Sequence, residues 1–70
     1  MGLGQLSYRE LEVFRMIGLG LKKSELAVRL KLSAHAIESH RAGVKMRLNV
    51  SSSSELTRLA ILHCEGDRNA

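Results

Sequence analysis

The sequence predicts an all-α domain of four helices that contains a helix-turn-helix. Three observations carry this. The 70 residues include no proline and are rich in Leu, Ala, Glu, Lys and Arg. Two S-x-x-E boxes, Ser7 with Glu10 and Ser52 with Glu55, mark helix starts. In the middle of the chain, two helical patterns are separated only by Lys31, Leu32 and Ser33, the spacing of a helix-turn-helix. The length leaves room for one core, and such a chain buries only roughly 60% of the surface its unfolded form exposes. Marginal stability follows, and a partner would help. A composition of 44% hydrophobic and 26% charged residues belongs to a globular chain rather than a disordered one.

Residues 1–5, MGLGQ, carry two glycines and no periodicity, and are expected to be a disordered lead or linker remnant before a domain of residues 6–65. In the first box, Ser7 and Glu10 each satisfy the other's unpaired backbone N–H, and Leu6 and Leu11 occupy the positions of a hydrophobic staple. Val13, Phe14 and Ile17 continue an inward face, while Arg9, Glu12 and Arg15 point out. Gly20 is placed to stop the helix in the left-handed conformation, so helix one is predicted over about Tyr8 to Leu19.

The second pattern, LKKSELAVRL, puts Leu26, Ala27 and Leu30 inward and Lys22, Lys23, Glu25, Arg29 and Lys31 outward. Its N-cap is ambiguous, since Lys22 cannot cap and Ser24 can. Ala27 is small enough for another helix to cross close by. The helix-turn-helix spans about residues 23–42.

Ser33 is a good N-cap for a third helix from Ala34 to Leu48. At 3.6 residues per turn, Ile37, Val44 and Leu48 form an inward stripe with Ala34, His40 and Arg41 at its margins. The opposite side carries His35, Ser39, Ala42 and Met46, flanked by Glu38 and Lys45 on one edge and by Ala36, Gly43 and Arg47 on the other. Small residues in the middle of an outer face let another surface come close; the alternative is an ordinary solvated face.

The second box starts a fourth helix over about Ser53 to Cys64, with Gly66 just beyond it and residues 66–70 as a disordered tail. Leu56, Ala60 and His63 lie on one side, while Ile61 and Leu62 spread round to others. A terminal helix that is apolar on more than one side must bury the second side or expose a patch. A like helix from a second chain would cover it, and Leu59 and Leu62 are the candidate dimerisation residues.

A net charge of +4 and a pI near 9.9 suit a polyanionic partner, although a solvated basic surface is also common. The single cysteine, Cys64, excludes an internal disulfide and reads as a reduced, partly buried thiol of a cytoplasmic protein. No run approaches the roughly 18 apolar residues of a membrane span, and no signal peptide pattern opens the chain. There is no Gly-rich phosphate loop and no metal-ligand spacing. Cys64 and His63, as helix neighbours, point in different directions and make a poor nucleophile and base. No enzyme, metal or cofactor is expected.

LSYRELEVFRMIGLGL resembles the opening of the LuxR-type helix-turn-helix domain, also found as the output domain of FixJ- and NarL-like response regulators. ELAVRLKLSAHAIESHRAGVKMRL resembles that family's recognition segment, and SSSSELTRLAI is similar to its last helix. The match covers about Leu6 to Ile61. The resemblance implies a cytoplasmic transcription regulator, as the output half of a two-component or ligand-sensing protein or as a small stand-alone one. It implies that the third helix enters the major groove of double-stranded DNA and that two chains pair through the fourth helix on DNA. RNA polymerase is a further candidate partner. The family's base-reading positions fall on Glu38, Ser39 and Ala42, and its phosphate-contacting positions near Lys23, Ser33, Ala36, His40 and Arg47. Ala36 replaces the family's Thr, Lys23 its common Asn, Lys22 its usual capping Ser, and Lys31 its frequent turn Gly.

Weighed as chemistry, the Glu38 carboxylate can accept a hydrogen bond from a cytosine amino group, or simply pair with Lys45 or Arg41. Ser39 and Ala42 touch bases only if the helix lies deep in the groove. His35, in the first turn, can meet a base or a phosphate. His40 fits a structural bridge or a phosphate contact. Lys22, Lys23, Lys45 and Arg47 suit phosphates, where positioning contacts tolerate loose geometry, and Arg41 can lay its stem along the core edge. The competing non-enzymatic reading is a basic helical module that docks on an acidic protein.

Overall fold

The computed structural model describes the backbone of residues 2–69 and the side chains of residues 4–65; Met1 and Ala70 lie outside the described residues. Among the described residues four α-helices follow one another: α1 (Tyr8–Gly18), α2 (Lys23–Leu30), α3 (Ala34–Arg47) and α4 (Ser53–Asn69). The all-α architecture is the one the sequence predicts. A 3-10 turn over Gly2–Gln5 precedes them, where a disordered lead was expected.

Caps fix the starts. Ser7 Oγ accepts the Glu10 N–H at 3.1 Å, and Glu10 Oε1 accepts the Ser7 N–H at 2.9 Å, which completes the predicted box. Ser33 Oγ accepts the Ala36 N–H at 3.1 Å, and Ser52 Oγ the Glu55 N–H at 3.2 Å. The ambiguous start of α2 resolves onto Lys22, which occupies the N-cap with extended backbone. Its side chain has no acceptor to offer, and the start is secured from the other direction, by Glu25 Oε1 accepting the Lys22 N–H at 2.8 Å.

The ends of α1, α2 and α3 share one backbone closure. Leu21, Leu32 and Val50 each donate an N–H to the carbonyl five residues back, on Met16, Ala27 and Lys45, at 3.1, 3.0 and 2.8 Å. The residue before each donor is left-handed: Gly20 at φ 89°, Lys31 at 56° and Asn49 at 58°. This is the Schellman arrangement, which satisfies carbonyls that a helix end leaves unpaired. Glycine and asparagine enter that region easily; lysine does so at a cost.

The core comprises Val13, Phe14, Ile17, Leu26, Ile37, Val44, Val50, Leu56 and Ala60, with Leu6, Leu11, Leu30, Leu48 and Leu59 partly buried around it. Full burial of each large side chain contributes about 1.5–3 kcal/mol. Phe14 is completely buried and meets the His63 ring at 5.6 Å, tilted by 45°. α1 packs on both α4 and α3, whereas α2 packs chiefly on α3. Gly18 sets the α1–α4 crossing: a Cβ there would overlap the Ala60 carbonyl oxygen and stand 2.6 Å from Cys64 Sγ. The Cys64 thiol donates to the Arg15 carbonyl at 3.4 Å, consistent with the partly buried thiol expected there.

α4 differs from expectation. It was predicted to end at Cys64 before Gly66 and a disordered tail, yet it continues to Asn69. A glycine costs a helix about 1 kcal/mol relative to alanine but does not by itself terminate one, and no proline follows. No helix among the described residues is long and apolar enough to cross a membrane.

Candidate nucleic-acid interface

The third helix turns its inward stripe, Ile37 and Val44, fully into the core. That burial fixes what faces out. His35, Glu38, Ser39 and Ala42 are all exposed, and Met46 continues their face with 79% of its surface accessible. Cations surround this strip. Lys22 and Lys23 are exposed at the start of α2, Arg47 is exposed at the end of α3, and Lys45 is half-buried beside it. His40 and Arg41 are half-buried at the core margin, as their positions on the stripe predict.

The electrostatics of α3 set it apart. α1, α2 and α4 carry Glu10, Glu25 and Glu55 in their first turns, whereas α3 carries no acidic residue there. Ala36 occupies the position where the other three helices place that glutamate. The partial positive charge of its N-terminus is therefore not offset by a carboxylate of its own first turn, and it is available to an anion. At the other end, Lys45 and Arg47 lie in the last turn, where cations complement the helix dipole.

Two groups of ion pairs organise the candidates, one around Glu38 and one around Glu10. Lys23 Nζ lies 3.3 Å from Glu38 Oε1, and Arg41 Nε lies 4.0 Å from the same oxygen. Glu38 was read as a base reader or a partner for Lys45 or Arg41; the structure pairs it with Arg41 and with Lys23. The pair between Arg47 and Glu10 was not legible in the sequence. Arg47 Nη1 donates to Glu10 Oε2 at 2.8 Å, joining the end of α3 to the start of α1. Hydrogen bonds from Ser7 and the adjacent Arg47 charge hold the Glu10 carboxyl below the ordinary glutamate range, against the opposing effect of its burial. Gly43 leaves room for this contact, since a Cβ there would stand 2.5 Å from Glu10 Oε2 and the carboxylate would have to shift. Its small size was assigned to the approach of an outside surface, but it serves an internal contact. The signal available was a glycine within a helix, which usually has a packing reason.

On α4 the two candidate dimerisation residues part company. Leu59 is half-buried against the core, whereas Leu62 is 54% exposed and neighbours Ile61, at 41%. A groove of about 550 Å³ on α1 and α4, lined by Tyr8, Leu11, Met16, Leu19 and Cys64 among others, includes none of the candidate DNA-binding or dimerisation residues.

Comparison with known proteins matches this arrangement. The family described as "Bacterial regulatory proteins, luxR family" matches residues 4–60. The chain is 41% identical over 58 residues, 83% of its length, to the response regulator UvrY of Escherichia coli strain K12. It is 36% identical over 56 residues (80% of its length) to the oxygen regulatory protein NreC of Staphylococcus carnosus, and 37% over 57 residues (81%) to the uncharacterized response regulatory protein YgeK of Escherichia coli strain K12. It spans only 27%, 26% and 39% of those three relatives. No solved structure matches the chain at a significant level. With four helices in place and a family match across most of its length, the chain belongs to the LuxR family of bacterial regulatory proteins and is a DNA-binding domain of a transcriptional regulator.

Proposed function

We propose that α3 enters the major groove of double-stranded DNA and that the chain binds DNA sequence-specifically as the output domain of a response regulator. The observation that carries this is the outward face of α3, where short or polar side chains lie exposed on one strip with lysines and arginine at both ends. His35, Glu38, Ser39 and Ala42 read base edges, because they combine exposure with a central place on that strip. Lys22, Lys45, Arg47, Ser33 and His40 position the duplex through phosphates. Ser33 can do so while it caps, since its oxygen accepts the Ala36 N–H and its own proton stays available. Arg47 retains further N–H donors beside the one given to Glu10. The response-regulator names of UvrY and YgeK support the assignment to a signalling protein.

Two chains pair on DNA through the exposed Ile61 and Leu62 of α4, with Leu59 supporting that surface from the core side. A single helix per chain makes a contact well below the size of stable interfaces, so pairing accompanies DNA binding rather than precedes it. The test is selection of bound sites from random duplexes at moderate salt. The expected result is an inverted repeat whose half-sites lie about one turn, roughly 34–36 Å, apart. Absence of any enriched motif would remove the sequence-specific reading.

A further inference from the structure

Lys23 and Glu38 belong to different helices, yet their charged groups lie 3.3 Å apart, with Arg41 at 4.0 Å from the same carboxylate oxygen. The Glu38 side chain is 56% exposed. A glutamate on the outside of a helix samples many rotamers and must be ordered when it reads a base. Its negative charge is also repelled by nearby phosphates. Two cations on one oxygen lower both costs, because they hold the carboxylate in place and offset its charge before DNA arrives. Among the described residues both cations address Oε1, which leaves Oε2 for a donor approaching from outside.

We propose that Lys23 is a positioning residue for base reading: it holds the Glu38 carboxylate so that Oε2 accepts from the amino group of a cytosine in the major groove. The inference rests on the placement of α3 in that groove. It separates Lys23 from Lys45, although both are lysines at the rim of one face. Lys45 acts on every duplex alike, whereas Lys23 acts through Glu38 on one base pair. Arg41, on the same helix as Glu38 and at 4.0 Å, is the weaker of the two braces and does not hold the carboxylate from the α2 side.

The test titrates the chain against the selected half-site and all its single-base-pair variants. Four substitutions are compared with the unaltered chain: Glu38→Gln, Lys23→Gln, Lys23→Arg and Lys45→Gln. An exposed ion pair contributes little to folding, so the variants stay folded. Glu38→Gln should flatten the preference at one position, and Lys23→Gln should reduce discrimination at that same position by about three- to tenfold, a fraction of the usual effect of a mismatch. Lys23→Arg should restore it. A fifth variant combining Glu38→Gln with Lys23→Gln should lose no more discrimination than Glu38→Gln alone, the mark of two residues acting as one unit. Lys45→Gln should weaken all duplexes equally and flatten the log affinity against log salt plot by about 0.9. If Lys23→Gln behaves as Lys45→Gln does, Lys23 is a phosphate contact and the inference fails. If the wild-type preferences survive Glu38→Gln, the inference fails while the major-groove reading stands. If the wild-type chain has no preference, both fail.

Discussion

Glu10 and Arg47 are 37 positions apart in sequence and 2.8 Å apart in the fold. Glu10 thereby serves two helices at once: Oε1 caps the first turn of α1, and Oε2 receives the last turn of α3. Its pKa lies below the ordinary glutamate value, chiefly because the carboxylate accepts the Ser7 backbone N–H. A depressed folded-state pKa means a contribution to stability that is complete above the unfolded value and is lost as pH falls through the folded one. Urea denaturation of the chain and of Glu10→Gln should therefore differ most near neutrality and converge as pH falls below the ordinary glutamate range and through the depressed folded-state value. An unchanged gap at acid pH would mean that the charge of Glu10 is not what stabilises this junction.

Gly18→Ala tests how closely α1 and α4 must approach. Alanine is the better helix former by about 1 kcal/mol, so propensity alone forecasts stabilisation. The overlap with the Ala60 backbone forecasts the opposite, a net loss of about 2 kcal/mol, because backbone cannot swing aside as a side-chain end can. Thermal melts give the sign directly, and stabilisation would show that the crossing relaxes freely.

Lys31→Gly should stabilise the chain by about 0.5–1 kcal/mol, since the lysine holds a left-handed backbone at φ 56° that glycine adopts freely. The same change at Arg29, in the last turn of α2 where the backbone stays right-handed, should instead destabilise, by up to about 1 kcal/mol. Chemical denaturation of the two variants checks the contrast. Equal destabilisation by both would mean the closure at Lys31 carries no strain.

Leu59→Asp and Leu62→Asp should fail in different ways. A carboxylate at half-buried Leu59 should lower stability by about 2–3 kcal/mol. At exposed Leu62 it should leave the melt nearly unchanged and abolish cooperative occupation of two half-sites. Half-site titrations decide this: cooperativity retained in Leu62→Asp would exclude α4 from the pairing contact.

The starts of the helices were legible because capping is local: Ser7, Ser33 and Ser52 each act within three residues of themselves. The core of α3 was legible because a 3.6-residue period leaves little choice for Ile37 and Val44. The pairing of Lys23 with Glu38 was not, since either partner has several opposite charges in range and only the α2–α3 crossing selects among them. Gly43 was misread for the same reason: its small size has a tertiary cause, which lies on α1. The left-handed backbone of Lys31 opposes its local preference and is imposed by the closure onto Ala27.

The attachment of α2 chiefly to α3 makes the shortest α-helix the least tethered one. Its amides should therefore exchange with solvent fastest among the four helices, through local openings that cost less than global unfolding. Each such opening carries Lys23 away from Glu38. Under the proposed role of Lys23, the fidelity of base choice is tied to breathing of a neighbouring helix, and bound duplex should slow the exchange of α2 more than that of α1 or α4.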